Sequence, residues 1–319
     1  MKAVALYGDR RVDVIDIPVP TPPNGWALVK SELSGICGTD KAFYTGSYRL
    51  FKTPLIPGHE VVGRVISGSE ELTGMRVVSE INFPCWSCNY CRSGLYTHCP
   101  HKKTLGIDFD GGMAEYFIAP LEALHPFKGS PEKGIFVEPL AAVLRSLSLR
   151  PPKPTDEVAV IGTGNIAWLT VQVLKKLYGF RVDVIARGNS AKAGEFAGIA
   201  DNVIYLEDAP RSSYDIVFEA AGDHRAINIA IDLAKPTGVI HTKSTTGALA
   251  SVDTTFAVVK ELTIIGSRCG TFREFKTAIK LLENDVVETR LDKVYDIDDA
   301  REAFEEALNP RYFKISIKP

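Results

Sequence analysis

The chain has 319 residues, of which 45% are hydrophobic and 24% charged; at roughly 150 residues per domain, that length suits two domains, each with a full core. Lys plus Arg number 37 against 39 for Asp plus Glu, a formal net charge of -2 that excludes a broad nucleic-acid-binding face. No apolar run approaches the roughly 18 residues of a membrane span, and the stretch Met1–Asp9 is too short and too soon charged for a signal peptide. The expectation is a cytoplasmic protein whose partners are small molecules, with no nucleic acid and no membrane.

The first 125 or so residues predict short strands broken by Gly and Pro. They are Lys2–Leu6, Val12–Ile17, Ala27–Glu32, Val61–Ile66, Arg76–Ile81 and Ala114–Ile118. Such spacing suggests a barrel-like or sandwich-like β domain. Near residue 134 the character changes. Apolar residues fall at helical spacing over Ile135–Leu149, and Pro151-Pro152-Lys153-Pro154 then breaks the chain. Strands and helices alternate beyond it. Strands are predicted at Val158–Ile161, Arg181–Ala186, Val203–Leu206, Ile216–Glu219, Val239–His241 and Leu262–Ile265. Helices are predicted at Ile166–Tyr178, Ala191–Ala197 and Ala226–Leu233. This alternation implies a doubly wound parallel sheet with helices on both faces, an α/β class. The tail predicts a helix over Phe272–Leu282, a strand, a helix over Asp298–Leu308 and a last strand over Phe313–Ile317.

Four of the six cysteines, Cys85, Cys88, Cys91 and Cys99, fall within fifteen residues. In a cytosolic chain of this size such a cluster reads as metal-binding. Four thiolates fill a tetrahedral zinc shell and leave no open position, so the zinc would be structural. Buried free cysteines, an iron-sulfur cluster and a nucleic-acid zinc ribbon are weaker readings. A second motif, Gly162-Thr163-Gly164-Asn165-Ile166-Ala167, directly follows the apolar run Val158–Ile161. It is a GxGxxA form of the dinucleotide fingerprint, set between a strand and a helix; the bland reading is an ordinary glycine-rich turn. About 20 residues on, where an acid would hold a ribose 2'-hydroxyl, stands Ala186, followed by Arg187. Asp183 lies two or three residues early. A missing acid with a guanidinium beside it favours the 2'-phosphate of NADP, with NAD possible; the alternative is a solvated loop charge.

A third set is dispersed. Cys37, His59 and Glu138 each have an ordinary structural explanation, as core thiol, satisfied histidine and helix cap. Together a Cys, a His and a Glu supply the three protein ligands of a catalytic zinc whose fourth place stays open.

With these motifs in order, the sequence resembles the zinc-dependent medium-chain dehydrogenase/reductase family over essentially its whole length. The carriers are Gly35–Asp40, Gly58-His59-Glu60, Cys85–Cys99, Gly111–Tyr116, Glu138-Pro139-Leu140, Gly162–Ala167, Glu219-Ala220-Ala221-Gly222 and Ile265-Gly266-Ser267. The resemblance implies a GroES-like β-rich catalytic domain over 1–139 and 268–319, with a structural zinc lobe at about 80–104, and a Rossmann domain over 140–267. It implies two zinc ions per chain, one in the cysteine lobe and one at Cys37 and His59, with Glu60 and Glu138 as the further candidates. Thr39 stands where the family places the hydroxyl that meets the substrate alcohol. The relay histidine of some branches is absent, Ala42 standing in its place, so Lys41, Asp40 or bulk water would finish the relay. Ala221, Gly222 and Arg268 are implied to face the cofactor, and Cys269 to be structural. Glu138, where the simple alcohol branch has Cys, moves the reading toward the sorbitol-, threonine- and glucose-dehydrogenase branches. The implied activity is NAD(P)-linked interconversion of an alcohol and its carbonyl. A non-catalytic nucleotide-binding relative and a simple-alcohol dehydrogenase or aldehyde reductase are the alternatives. Assembly into a homodimer or homotetramer through the edge strand Leu262–Ile265 is also expected.

Overall fold

The computed structural model describes residues 1–319 and contains two large sheets. The second in sequence is six-stranded and parallel. Numbered in chain order, its strands are β1 (Val158–Ile161), β2 (Val182–Ala186), β3 (Asn202–Tyr205), β4 (Tyr214–Glu219), β5 (Ala234–Thr242) and β6 (Thr263–Gly266). They lie in the order 3-2-1-4-5-6, which is the doubly wound arrangement. Alternate residues of the central strands enter different cores. Val158, Val160, Val182, Val184, Ile216 and Phe218 join one cluster with the helices Val137–Leu149, Asn165–Tyr178 and Phe272–Glu283. Ala159, Ile161, Ile185, Val217 and Ile240 join another with the helix Ala226–Leu233. Burial on both faces explains why these strands read as unbroken apolar runs.

The other large sheet has seven strands and is mostly antiparallel. Its centre is Trp26–Gly35, which pairs with Glu60–Ser67, with Tyr116–Pro120 and with the final strand Ile315–Lys318. The tail therefore packs beside residues near the start. The last two strands of this sheet, Lys293–Asp296 and Ile315–Lys318, run parallel.

Three local expectations shift. Ala191–Ala197 was expected to be an α-helix, but the chain forms only a 3-10 turn over Ala193–Gly198, where Gly194 and Gly198 weaken a regular helix. Four short helices, Gly38–Thr45, Asn89–Arg92, Pro131–Gly134 and Thr254–Val259, appear where none was expected. The last strand begins at Ile315, so Phe313 and Lys314 are free for other work.

Candidate active site and metal centres

Cys37 sits at the N-cap of the helix Gly38–Thr45, and His59 and Glu60 lie at the start of the strand Glu60–Ser67. Gly35 pairs with Glu60 across the sheet. This register brings one ligand atom from each of Cys37, His59 and Glu60 within 4.8 Å of one another. All three are buried or half-buried. Gly58 makes the approach possible: its φ is +102°, and a Cβ there would fall 2.6 Å from the Met113 nitrogen and the Ser34 hydroxyl.

Asp40 ties two of these groups together. One carboxylate oxygen accepts the Cys37 N–H at 2.8 Å, while the other lies 3.6 Å from His59 Nδ1. Neither Asp40 Oδ1 nor His59 Nδ1 makes a hydrogen bond, so the two face each other at charge-pair distance. A carboxylate behind a histidine fixes the ring's orientation, as around many metal ligands. Asp40 is fully buried, so of the groups considered for the proton relay it is the one placed to hold His59. Burial alone would weaken proton binding by His59, yet the charges of Asp40, Cys37 and Glu138 outweigh it and raise its pKa well above the ordinary histidine value. That excess of negative charge around buried donors suits a divalent cation. Cys, His and carboxylate donors are also the set that zinc takes.

Glu138, near the start of the helix Val137–Leu149, is buried, and burial raises its pKa while the charge of His59 lowers it. It stands outside the close trio but within electrostatic reach of Glu60. Glu60 is held by Lys314, whose Nζ donates to its carboxylate and to the Ile36 carbonyl. Thr39 is half-buried on the first turn after Cys37.

The four lobe cysteines bring their sulfurs within 4.8 Å of one another. The Sγ–Sγ separations are 3.5 Å for Cys88–Cys91, 3.8 Å for Cys88–Cys99 and 3.5 Å for Cys85–Cys99. These are far beyond a disulfide bond. They approach the edge of about 3.8 Å in a tetrahedron built on zinc–sulfur bonds of about 2.3 Å. The sulfurs therefore fit a fully ligated zinc.

On the parallel sheet, Gly162 has φ +115°, and a Cβ there would fall 2.7 Å from the Ala220 carbonyl oxygen. Gly164 faces open space, and no side chain caps the helix Asn165–Tyr178 that follows it. Its first N–H groups therefore have no side-chain cap, an arrangement able to receive a phosphate. Ala167 is fully buried, as helix–strand packing requires. Thr163 and Ser190 join their hydroxyls at 2.7 Å, linking this turn to the loop after β2. Glu219 organises the neighbouring turns: it accepts from the Ala221 N–H at 3.0 Å and the Ser244 hydroxyl at 2.7 Å, and the Gly222 N–H donates to that hydroxyl at 2.8 Å. Ala186 is buried and Arg187 exposed, its guanidinium 3.9 Å from Asp223. Asp183 accepts from Asn202 and from the Tyr214 hydroxyl, which occupies it within the sheet. Arg268 donates to the Thr97 carbonyl at 3.2 Å and to Asn82 at 3.4 Å, toward the cysteine lobe. Cys269 is buried and accepts from Asn82 at 2.8 Å. Sequence reasoning missed the roles of Asp40 beside His59 and of Lys314 in holding Glu60, since nothing local marks them.

Two family models match: the alcohol dehydrogenase GroES-like domain over residues 23–129 and the zinc-binding dehydrogenase model over residues 166–284. The erythritol/L-threitol dehydrogenase of Mycolicibacterium smegmatis is 30% identical, with 89% of this chain and 87% of the relative covered. D-arabinitol dehydrogenase 1 of Uromyces fabae is 28% identical over 99% of this chain and 97% of its own. A crystal structure assigned as a zinc-binding dehydrogenase of Sinorhizobium meliloti, bound to NADP, superposes with a TM-score of 0.87 at 27% identity, covering 100% and 99%. With both motif sets in place and these relatives spanning nearly its full length, the chain belongs to the zinc-dependent medium-chain dehydrogenase/reductase family, in its polyol branch, and is an enzyme that interconverts an alcohol and its carbonyl with zinc and NAD(P).

Proposed function

We propose that the substrate is a polyol, a sugar or another secondary alcohol, and that Cys37, His59 and Glu60, with Glu138 behind them, hold the zinc at which it reacts. The observation that carries this reading is the convergence of Cys37, His59 and Glu60 within 4.8 Å. Glu138 in place of a thiol, and relatives named for arabinitol, erythritol and threitol, support the polyol class. A second zinc would sit in the Cys85, Cys88, Cys91 and Cys99 lobe and serve the fold.

Bound zinc supplies Lewis-acid polarisation of the substrate oxygen, and bound NAD(P) supplies a hydride acceptor. The remaining work belongs to the chain. Asp40 keeps the His59 ring in one orientation, and Lys314 keeps the Glu60 carboxylate in place. Thr39, half-buried beside Cys37, relays the proton that leaves the substrate hydroxyl: its oxygen accepts that proton while its own hydroxyl proton passes on to solvent. Gly162, Thr163, Gly164, Asn165, Ile166 and Ala167 receive the cofactor pyrophosphate at the helix N-terminus. The turns bearing Ala221 and Gly222 line the crevice at the carboxyl ends of the strands. Arg187 reads the 2'-phosphate of NADP. Arg268 supports that crevice from the cysteine-lobe side, where its hydrogen bonds lie.

The catalytic part spans 1–139 and 268–319 and the cofactor part 140–267 in this reading. The enzyme works in the cytoplasm as a homodimer or homotetramer. Exposed Ile264 on the edge strand, with Phe256, Val258 and Val259 exposed on the preceding helix, supports assembly through that edge. A spectrophotometric screen of polyols, aldoses and simple alcohols, with NAD and NADP in parallel on zinc-loaded protein, tests the function. Turnover confined to unbranched primary alcohols, or none at all, would overturn it.

A further inference from the structure

Lys243 directly follows β5, and its ammonium is enclosed by backbone. Its Nζ donates to the carbonyl of Ala142 at 2.9 Å and to those of Ser267 and Arg268 at 3.3 Å each. An ammonium carries three donors and no acceptor, so three carbonyls saturate it. Burial lowers its pKa to about 8, and nearby Glu138 acts in the opposite sense.

The three carbonyls come from the two places where the chain passes between the sheets. Ala142 lies on the helix Val137–Leu149, one turn beyond Glu138. Ser267 and Arg268 form the return path after β6. The two paths touch, since a Cβ on Gly270 would fall 2.6 Å from the Ala141 Cβ and 2.8 Å from its carbonyl oxygen. The backbone at Lys243 also reaches the cofactor crevice. Its N–H donates to the Glu219 carbonyl at 2.9 Å, and Ser244 binds the Glu219 carboxylate. Further along, a Cβ on Gly247 would fall 2.6 Å from the Ser47 carbonyl oxygen and from Tyr48, on the loop after the Cys37 helix. An apolar side chain could fill the same space at lower desolvation cost. What the ammonium adds is a fixed distance among three carbonyls.

We propose that Lys243 is a positioning residue: its ammonium locks the two inter-sheet paths together and thereby sets the spacing between the Cys37–His59–Glu60 centre and the cofactor crevice. The inference rests on the functional reading above, in which hydride crosses that gap. Displacement of reacting groups by about 1 Å can cost about a hundredfold in rate.

The test uses the full-length, zinc-loaded enzyme with Lys243→Met, which keeps the stem and removes the donors, and Lys243→Gln, which keeps one amide donor. For Lys243→Met, kcat should fall by roughly ten- to a hundredfold while the NADPH dissociation constant, read by fluorescence, changes by less than about threefold. The deuterium isotope effect on kcat should rise, because hydride transfer becomes slower. Lys243→Gln should recover part of kcat. Hydrogen exchange should quicken together in residues 137–149 and 263–271. An unchanged kcat would overturn the proposal. So would a parallel loss of kcat, NADPH binding and thermal stability, or failure of both variants to fold, since each assigns Lys243 to the fold alone. If the unsubstituted enzyme oxidises no alcohol, the functional reading fails, and hydrogen exchange still decides whether the ammonium locks the two paths.

Discussion

Lys314 and Glu60, 254 positions apart, form a buried ion pair beside Cys37 and His59. Burial lowers the pKa of the lysine, but the Glu60 charge more than restores it, so the ammonium is held above its ordinary value. Removing one partner of a buried pair leaves the other charge stranded, at a cost of about 3–5 kcal/mol. In the metal-free protein Lys314→Met should therefore destabilise the fold by about that much in denaturant melts, and Glu60→Gln added to it should recover part of the loss. A loss below about 1 kcal/mol for the single variant would show that water or another group neutralises Glu60.

The two metal centres should separate under mutation. Metal analysis of loaded protein should give two zinc ions per chain. Cys37→Ser should abolish turnover and leave the melting temperature nearly unchanged, because its centre is a small part of the fold. Cys88→Ser should lower the melting temperature and the zinc content by one, because that site couples metal binding to folding. Near-normal turnover by Cys37→Ser would remove the catalytic assignment.

Much of this was legible in the sequence, for reasons tied to particular residues. The cysteine lobe is local, so its spacing in sequence is nearly its spacing in space. The strands Val158–Ile161 and Val182–Ala186 are buried on both faces and carry an unambiguous apolar signal. The helix Gly38–Thr45 was not legible: its N-cap is a cysteine, not a usual capping residue, although Asp40 three residues on accepts the Cys37 N–H as a capping box would. The helix Thr254–Val259 buries no residue, so it has no apolar stripe to read; its mark is Asp253, which accepts from the Phe256 N–H at 3.1 Å. Lys314 and Lys243 escaped because their partners come from other elements, and no local pattern records them.

His241 lies in β5 with its ring stacked on Phe218, the centroids 4.6 Å apart, and one ring nitrogen on the Arg150 carbonyl at 3.1 Å. Burial lowers its pKa to about 4, against about 6.5 in an unfolded chain. The unfolded state then takes up a proton near pH 6.5 that the folded state refuses until about pH 4. The stability from neutral His241 is full above pH 6.5 and is lost as pH falls toward 4, by up to about 3 kcal/mol. His241→Asn should make the fall in melting temperature over that window shallower. An unchanged slope would mean that the ring is protonated in the fold.

Assembly should be measurable at micromolar concentration. Light scattering is expected to give twice or four times the 34.9 kDa of one chain. Ile264→Lys on the exposed edge strand should shift the population toward the single chain, because a charge there opposes edge-to-edge pairing. A single-chain mass for the unsubstituted protein would refute assembly.

Cofactor choice turns on Arg187. Ala186 fills the end of β2 with a buried methyl group, so no carboxylate from that position repels a 2'-phosphate. The Arg187 guanidinium is exposed, and its nearest acid, Asp223 at 3.9 Å, is engaged more closely by Arg225 at 2.7 Å. Arg187 is therefore free to swing onto a phosphate. A charge-assisted bond of that kind contributes on the order of 1.5–3 kcal/mol, reduced by solvent at an exposed site. The expected preference for NADP over NAD is roughly tenfold to a hundredfold in kcat/KM. Arg187→Ala should raise KM for NADP and leave KM for NAD nearly unchanged. Equal effects on both cofactors would make Arg187 a support of the loop. A native preference for NAD would instead point to Asp223, 3.9 Å from Arg187, as the group that repels the phosphate, and Asp223→Asn should then improve NADP use; if it does not, Glu207, whose carboxylate lies against Gly188, is the group that repels it.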